Sequence, residues 1–117
     1  MAAYGVGILR DLKMGPPIVE YLEKIDATLE PYDGHFIVHA GEQEVLEGES
    51  PGIIVVIEFP DRERAKAWYE SDAYQKILPL RAGNSKSTIF MVDGVDRDHI
   101  STDVLRPAYV DKYPFRS

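Results

Sequence analysis

The distribution of apolar and polar residues along the chain predicts four strands separated by two helical regions. Apolar, β-branched and aromatic residues dominate four short segments, a composition typical of strands. These segments span residues 4–12, 35–40, 53–59 and 87–95. The third of them is almost uninterruptedly apolar, which predicts burial on both of its faces.

Helical periodicity marks two of the connecting segments. The first begins with two consecutive prolines, which suit the first turn of a helix. Its apolar residues recur at intervals of three and four and predict one buried stripe, made of Ile18, Tyr21, Leu22, Ile25 and Leu29. The second region spans residues 60–81. Asp61 can cap its start, and Ser71 or Asp72 marks a point where the helix restarts.

The predicted order is strand, helix, strand, strand, helix, strand. This order is that of the ferredoxin-like α+β fold, in which two helices cover one face of a four-stranded antiparallel sheet. Residues 1–94 account for this domain. Residues 95–117 are polar, and we predict that they form an extended C-terminal arm, with aromatic anchors at Tyr109, Tyr113 and Phe115.

Strict alternation along the second and third strands assigns side chains to the two faces of the sheet. The face predicted to lie under the helices is wholly apolar and comprises Phe36, Val38, Ala40, Ile53, Val55, Ile57 and Phe59. The opposite face is mixed and comprises His35, Ile37, His39, Ile54, Val56 and Glu58. Because an uncovered face of this kind usually marks an interface, we predict that it packs against the same face of a second subunit.

Composition narrows the classes of function. The 117 residues include no cysteine, which excludes disulfides, thiolate catalysis and cysteine metal sites. With 20 acidic against 13 basic residues and no long basic cluster, neither nucleic-acid nor anionic membrane binding is expected. The longest apolar run, at residues 53–57, is too short to span a membrane, and no signal peptide is evident. A cytoplasmic location is the default expectation.

Several motifs carry a resemblance to a known family. The stretches are "YDGHFIVHAG", "EVLEGE", "VVIEFPDRERAKAWYESDAYQKILPLR" and "IFMVDG". In this order they resemble domain-of-unknown-function family 1330, over residues 4–94. The family looks like the dimeric α/β-barrel superfamily, so the resemblance implies a homodimer in which two ferredoxin-like sheets face each other. At position 39 this chain has a histidine where arginine is frequent in the family.

The resemblance supplies no catalytic residues, because the family has no established reaction. Its relatives include cofactor-independent monooxygenases, haem-degrading enzymes, lactone isomerases and ligand-sensing domains, and a shared fold does not choose among these.

The histidines and a strand glutamate are the first candidate site. On a regular strand His35 and His39 would lie about 13 Å apart, too far to share a metal ion. His39 and Glu58 are predicted as a general acid–base pair in the barrel cavity. The alternative is that both form ordinary hydrogen bonds at the subunit interface.

The broken second helix supplies the other candidates. Ser71 and Tyr74 flank the break and can direct polar groups into a pocket, with Trp68 beside them, although tryptophan at helical spacing is more often core. Arg81 can clamp a ligand carboxylate, or it can form a salt bridge with a glutamate of the first helix.

Three hypotheses of function follow. The first is a homodimeric barrel protein that binds a small, partly apolar organic molecule between sheet and helices, with oxygenase- or isomerase-type chemistry that needs no cofactor. The second is a non-catalytic assembly or ligand-sensing domain with a swapped C-terminal arm. The third is a haem or metal protein with an axial histidine. The first is preferred, so neither cofactor nor metal is expected.

Overall fold

The structure, a computed structural model, describes residues 1–107 and contains one four-stranded antiparallel sheet. The strands are β1 (Ala3–Arg10), β2 (His35–His39), β3 (Ile53–Phe59) and β4 (Lys86–Asp93). The α-helices are α1 (Pro16–Leu29), α2 (Arg62–Glu70) and α3 (Asp72–Ala82). Short 3₁₀ helices occur at Glu30–Tyr32 and Ser101–Leu105.

The strand order is β2-β3-β1-β4, with every neighbouring pair antiparallel. Together with the element order, this confirms the predicted ferredoxin-like α+β fold. The second helical region is two helices, because Ser71 adopts an extended backbone (φ −64°, ψ 147°) between α2 and α3. Asp61 caps α2 as predicted, and its side chain accepts a hydrogen bond from the Arg64 N–H at 2.8 Å.

The core lies between the helices and one face of the sheet. Four of the five residues in the predicted stripe of α1 are buried, and so are Ile57 and Phe59 on β3. Burial of each large apolar side chain contributes about 1.5–3 kcal/mol to folding. Leu22 is the exception in the stripe, with 40% of its surface exposed.

A β-bulge in β2 changes the predicted assignment of faces. Ile37 has no partner on β3, so Val38 lies opposite Val56 and His39 lies opposite Val55. Because side chains alternate along a strand, this extra residue exchanges the faces of Val38 and His39. The prediction that Val38 faces the helices and His39 faces away from them is therefore wrong, and the reverse holds.

The sheet face that points away from the helices is here called the open face. The register places one apolar row across its middle, made of Val38, Val56, Val6 and Phe90. Phe90 is 43% exposed, and Val38 and Val92 are similarly exposed. A continuous apolar surface on an uncovered sheet is the kind of patch that other proteins bury in an interface.

The chain after β4 is only partly described. Residues 95–100 have no regular secondary structure, and the 3₁₀ helix Ser101–Leu105 follows. The predicted anchors Tyr109, Tyr113 and Phe115 lie outside the described residues, so the swapped arm stays a prediction. Among the described residues, no helix is long and apolar enough to cross a membrane.

Candidate functional site

A cavity of about 220 Å³ lies between the helix-facing side of the sheet and the helices. Two glycines of β1, Gly5 and Gly7, form part of its floor. A Cβ atom built on Gly5 would meet only the ring of Phe59, at 3.6 Å. The space exists because these two positions, which point toward the helices, carry no side chains.

The walls of the cavity are almost entirely apolar. From the sheet they comprise Leu9, Ile53, Val55, Ile57, Ile89 and Met91, and from the first loop and α1 they comprise Leu12, Met14, Ile18, Leu22 and Ile25. Met14 is 67% exposed and Leu22 is 40% exposed, so the cavity opens to solvent beside these two residues. A dry, apolar cavity of about 150 Å³ can bind benzene, so this one has room for a somewhat larger molecule.

One part of the wall is polar and is formed where α1 packs against α3. The hydroxyl oxygens of Tyr21 and Tyr74 lie 2.8 Å apart in a buried hydrogen bond. Arg81 Nη2 donates to the Tyr74 hydroxyl at 3.4 Å, and the guanidinium carbon lies 5.9 Å from the centre of the Tyr21 ring. Arg81 is only 6% exposed, so this arrangement places a positive charge inside the protein.

No carboxylate of residues 1–107 forms an ion pair with Arg81. Glu20 of α1 pairs instead with Lys24, at 2.6 Å on the solvent side of the helix. Arg81 Nε is buried and has no hydrogen-bond acceptor within this same range of residues. Of the two predicted roles for Arg81, the salt bridge to the first helix is therefore not formed.

Burial determines the protonation of the tyrosine and arginine side chains here. It raises the pKa of the Tyr21 hydroxyl, and contact with Tyr74 raises it further, so Tyr21 is neutral at physiological pH. Burial alone would lower the pKa of Arg81, but the Tyr74 and Tyr21 side chains raise it, and the balance lies above the usual value. Arg81 is therefore cationic throughout the physiological range.

Trp68 contributes a wall of the cavity and holds Tyr74 in place. Its ring centre lies 4.1 Å from that of Tyr74. The indole N–H donates to Thr28 Oγ1 at 2.9 Å, so the polar atom of Trp68 already has a partner within the core. Trp68 can contact a ligand through its ring, but it offers no free hydrogen-bond donor.

Ser71 is the N-cap of α3 and does not line the cavity. Its hydroxyl oxygen accepts from the Tyr74 N–H at 3.2 Å, and the hydroxyl donates to the Trp68 carbonyl at 2.6 Å. The structure thus places Ser71 where it orients Tyr74, and not where it could contact a ligand directly.

His39 lines the cavity, with its ring stacked on Phe36 at 4.4 Å between ring centres. Glu58 lies on the open face, opposite Tyr4 of β1 and His35 of β2 in the strand register. The bulge in β2 therefore places His39 and Glu58 on opposite faces of the sheet, so the structure does not bring the predicted acid–base pair together. Within residues 1–107, no group of three or more histidine, aspartate or glutamate side chains is placed to hold a metal ion.

Tyr21 was not predicted as a site residue from the sequence. Its position in the periodic stripe of α1 marked it as core, which it is. The signal that its hydroxyl faces Tyr74 lies in the packing of α1 on α3, because the two tyrosines are 53 positions apart in the chain.

Comparison with solved structures supports the fold. A dimeric ferredoxin-like protein of unknown function from Jannaschia sp. CCS1 is 12% identical, with a TM-score of 0.64 over 80% of this chain and 100% of that chain. A protein of unknown function from Rhodopseudomonas palustris is 13% identical, with a TM-score of 0.63 over 81% of this chain and 83% of that chain. A candidate antibiotic biosynthesis monooxygenase from Caulobacter crescentus CB15 is 13% identical, with a TM-score of 0.52 over 81% and 91%.

At these identities the likeness concerns the fold alone. A comparison with curated proteins gives no match. The family model described as "Domain of unknown function (DUF1330)" matches residues 2–95, which include every described strand and α-helix. The chain therefore belongs to the DUF1330 family.

Proposed function

We propose that this protein binds a small, largely apolar organic molecule in the cavity between its sheet and its helices. The observation that carries the proposal is the cavity itself, with apolar walls and one polar part. Small-molecule sites are typically of this kind, mostly apolar with a few placed polar groups that fix the orientation of the ligand.

The predicted site residues then take different roles. Tyr74 and Arg81 provide polar contacts to the ligand, as does His39, and the ring of Trp68 provides an apolar contact. Ser71 acts as a positioning residue, because it caps the helix that carries Tyr74. Glu58 has no part in the cavity, since it lies on the open face.

We also propose that the protein is a homodimer whose two open faces pack against each other. The support is the exposed apolar row of the open face, including Phe90. The protein from Jannaschia sp. CCS1, which shares the fold, is described as dimeric. Burial of the two rows against each other would remove this apolar surface from water.

The binding proposal is tested by native mass spectrometry and by filling the cavity. We expect freshly purified wild-type protein to carry a small molecule as extra mass, or to bind simple aromatic probes such as benzoate and benzamide. Gly5→Val places a side chain on the cavity floor and should abolish binding, because it occupies the space that the ligand needs. Gly41→Val is the matched control, since nothing lies within 4 Å of a Cβ at Gly41.

Two results would contradict the proposal. One is wild-type protein that carries no extra mass and binds no probe. The other is a folded Gly5→Val variant that binds as well as Gly41→Val does.

Turnover of the bound molecule without a cofactor is a second candidate, supported by the imidazole of His39 on the cavity wall. Histidine is the most frequent general acid or base near neutral pH. Incubation of a co-purified ligand with the protein in ²H₂O would show deuterium uptake, and His39→Gln would bind the ligand without exchanging its proton. Equal absence of exchange in both proteins would favour the ligand-sensing alternative.

A further inference from the structure

The polar part of the cavity wall indicates the chemical class of the ligand. We infer that the ligand is an anion, namely the ionised form of a small organic acid, whose carboxylate binds Arg81 with a hydrogen bond from the Tyr21–Tyr74 pair. The inference rests on the proposed function, because it assumes that the cavity binds a small molecule. It specifies the charge of that molecule and adds a contact from Tyr21, a residue that was not predicted from the sequence.

Burial of the Arg81 guanidinium costs free energy. Transfer of a guanidinium from water to the protein interior is unfavourable unless opposite charge or several hydrogen bonds compensate for it. Arg81 has one hydrogen bond at 3.4 Å, beyond the usual range, and one ring contact at 5.9 Å, near the outer limit for a cation–π interaction. Nε has no acceptor. The described residues thus give this charge two tyrosine neighbours but no counter-ion.

The charge around the cavity also favours an anionic ligand. The whole chain carries a net charge of −7. Nevertheless, no aspartate or glutamate among residues 1–107 lines the cavity, and Arg81 is its charged residue. A neutral ligand would leave the guanidinium without a counter-ion, and a cationic ligand would be repelled. An anionic ligand supplies the missing charge.

The hydrogen-bond donors of the cavity wall favour the same class of ligand. Tyr21 and Tyr74 share one hydrogen bond, and either oxygen can be the donor. Whichever hydroxyl donates, the other keeps a free hydrogen. Arg81 adds further N–H groups, because the guanidinium carries five of them and the hydroxyls of Tyr74 and Tyr21 can accept only some. A surplus of donors matches an ionised carboxylate, which only accepts hydrogen bonds.

The test compares acids with neutral molecules of nearly the same shape. Two probe pairs of different size are used: benzoate with benzamide, and 2-naphthoate with 2-naphthamide. Binding to the wild-type protein is measured by isothermal titration calorimetry at pH 7. We expect each acid to bind on the order of 10- to 100-fold more tightly than its amide, the range expected for charge-assisted hydrogen bonds.

Variants of Arg81 test whether the preference for the acid over its amide depends on this residue. Arg81→Met should remove the preference for the acid and leave amide binding unchanged or tighter. Arg81→Lys keeps the charge without the planar fork and should give an intermediate preference. Tyr21→Phe should weaken acid binding more than amide binding. Arg64→Met, on the exposed side of α2, is the matched control and should bind like wild type. Thermal melting verifies that each variant is folded.

The outcomes separate the two proposals. If the amides bind as tightly as the acids, or if a folded Arg81→Met variant keeps the preference, the anion inference is overturned and the cavity-binding function stands. If none of the four probes binds and no small molecule co-purifies, the proposed function itself fails. A preference for the acid that disappears when the pH falls below the pKa of that acid would support the inference.

Discussion

Replacement of Arg81 by methionine should stabilise the ligand-free protein. The side chain of Arg81 is 6% exposed, and no described carboxylate pairs with it. Methionine is unbranched and adaptable, so it can fill most of the same volume without a charge. We therefore expect the substitution to remove a desolvated cation at little cost in packing.

The magnitude follows from the contacts that are lost and the charge that is removed. The long hydrogen bond to Tyr74 and the distant ring contact together contribute about 1 kcal/mol. The desolvation penalty of a buried ion is several kcal/mol, and replacement of buried ionic groups by apolar ones often stabilises a protein by about 1–4 kcal/mol. A net gain of about 1–3 kcal/mol is expected, which raises the Tm by roughly 4–12 °C for a chain of this size.

The assay is thermal unfolding, followed by circular dichroism and calorimetry at one fixed protein concentration, because association of the proposed dimer would contribute to the Tm. The protein must first be stripped of any co-purified ligand. Arg64→Met, which removes an exposed arginine, should change the free energy of unfolding by no more than about 0.5 kcal/mol. A clear fall in the Tm of Arg81→Met would refute the reasoning, since it would mean that the charge of Arg81 is well compensated in the free protein.

Three further predictions concern the rest of the molecule. Phe90→Asp on the open face should shift the proposed dimer to monomer in analytical ultracentrifugation. Leu46→Glu, at a more exposed apolar position on a loop, should leave the dimer intact; dissociation of both or of neither would argue against the open-face interface. Tyr21→Phe should lower the free energy of unfolding by about 1 kcal/mol at pH 7, through the lost hydroxyl–hydroxyl bond. The pKa of Tyr21 is raised in the folded state, so its contribution to stability is fully present below the unfolded value of 10.0 and is lost as the pH rises further. The difference in the free energy of unfolding between wild type and Tyr21→Phe should therefore narrow in urea titrations above pH 10. Gly34→Ala should destabilise the fold by about 1–3 kcal/mol in urea titrations, since a Cβ there would lie 2.7 Å from a ring carbon of Phe59. An unchanged urea midpoint would show that the ring can move aside.

The sequence by itself determined the elements and their order. Apolar composition and a periodicity of about 3.6 residues are local properties, so they identified the strands, α1 and the buried stripe without reference to the rest of the chain. Capping is also local, and it predicted the cap at Asp61 and a helix break at Ser71 or Asp72, which the structure places at Ser71. The fold class then followed, because few topologies accommodate this order of elements.

Tertiary structure decided which side chains meet. The bulge at Ile37 is a property of the pairing between β2 and β3, and strict alternation along one strand cannot show it. It moved His39 into the cavity and left Glu58 on the open face. The approach of Tyr21 to Tyr74 and Arg81 likewise depends on how α1 packs against α3, across more than 50 residues of chain. Contacts over such separations are set by packing of whole elements, whereas periodicity reports only the neighbourhood of each residue.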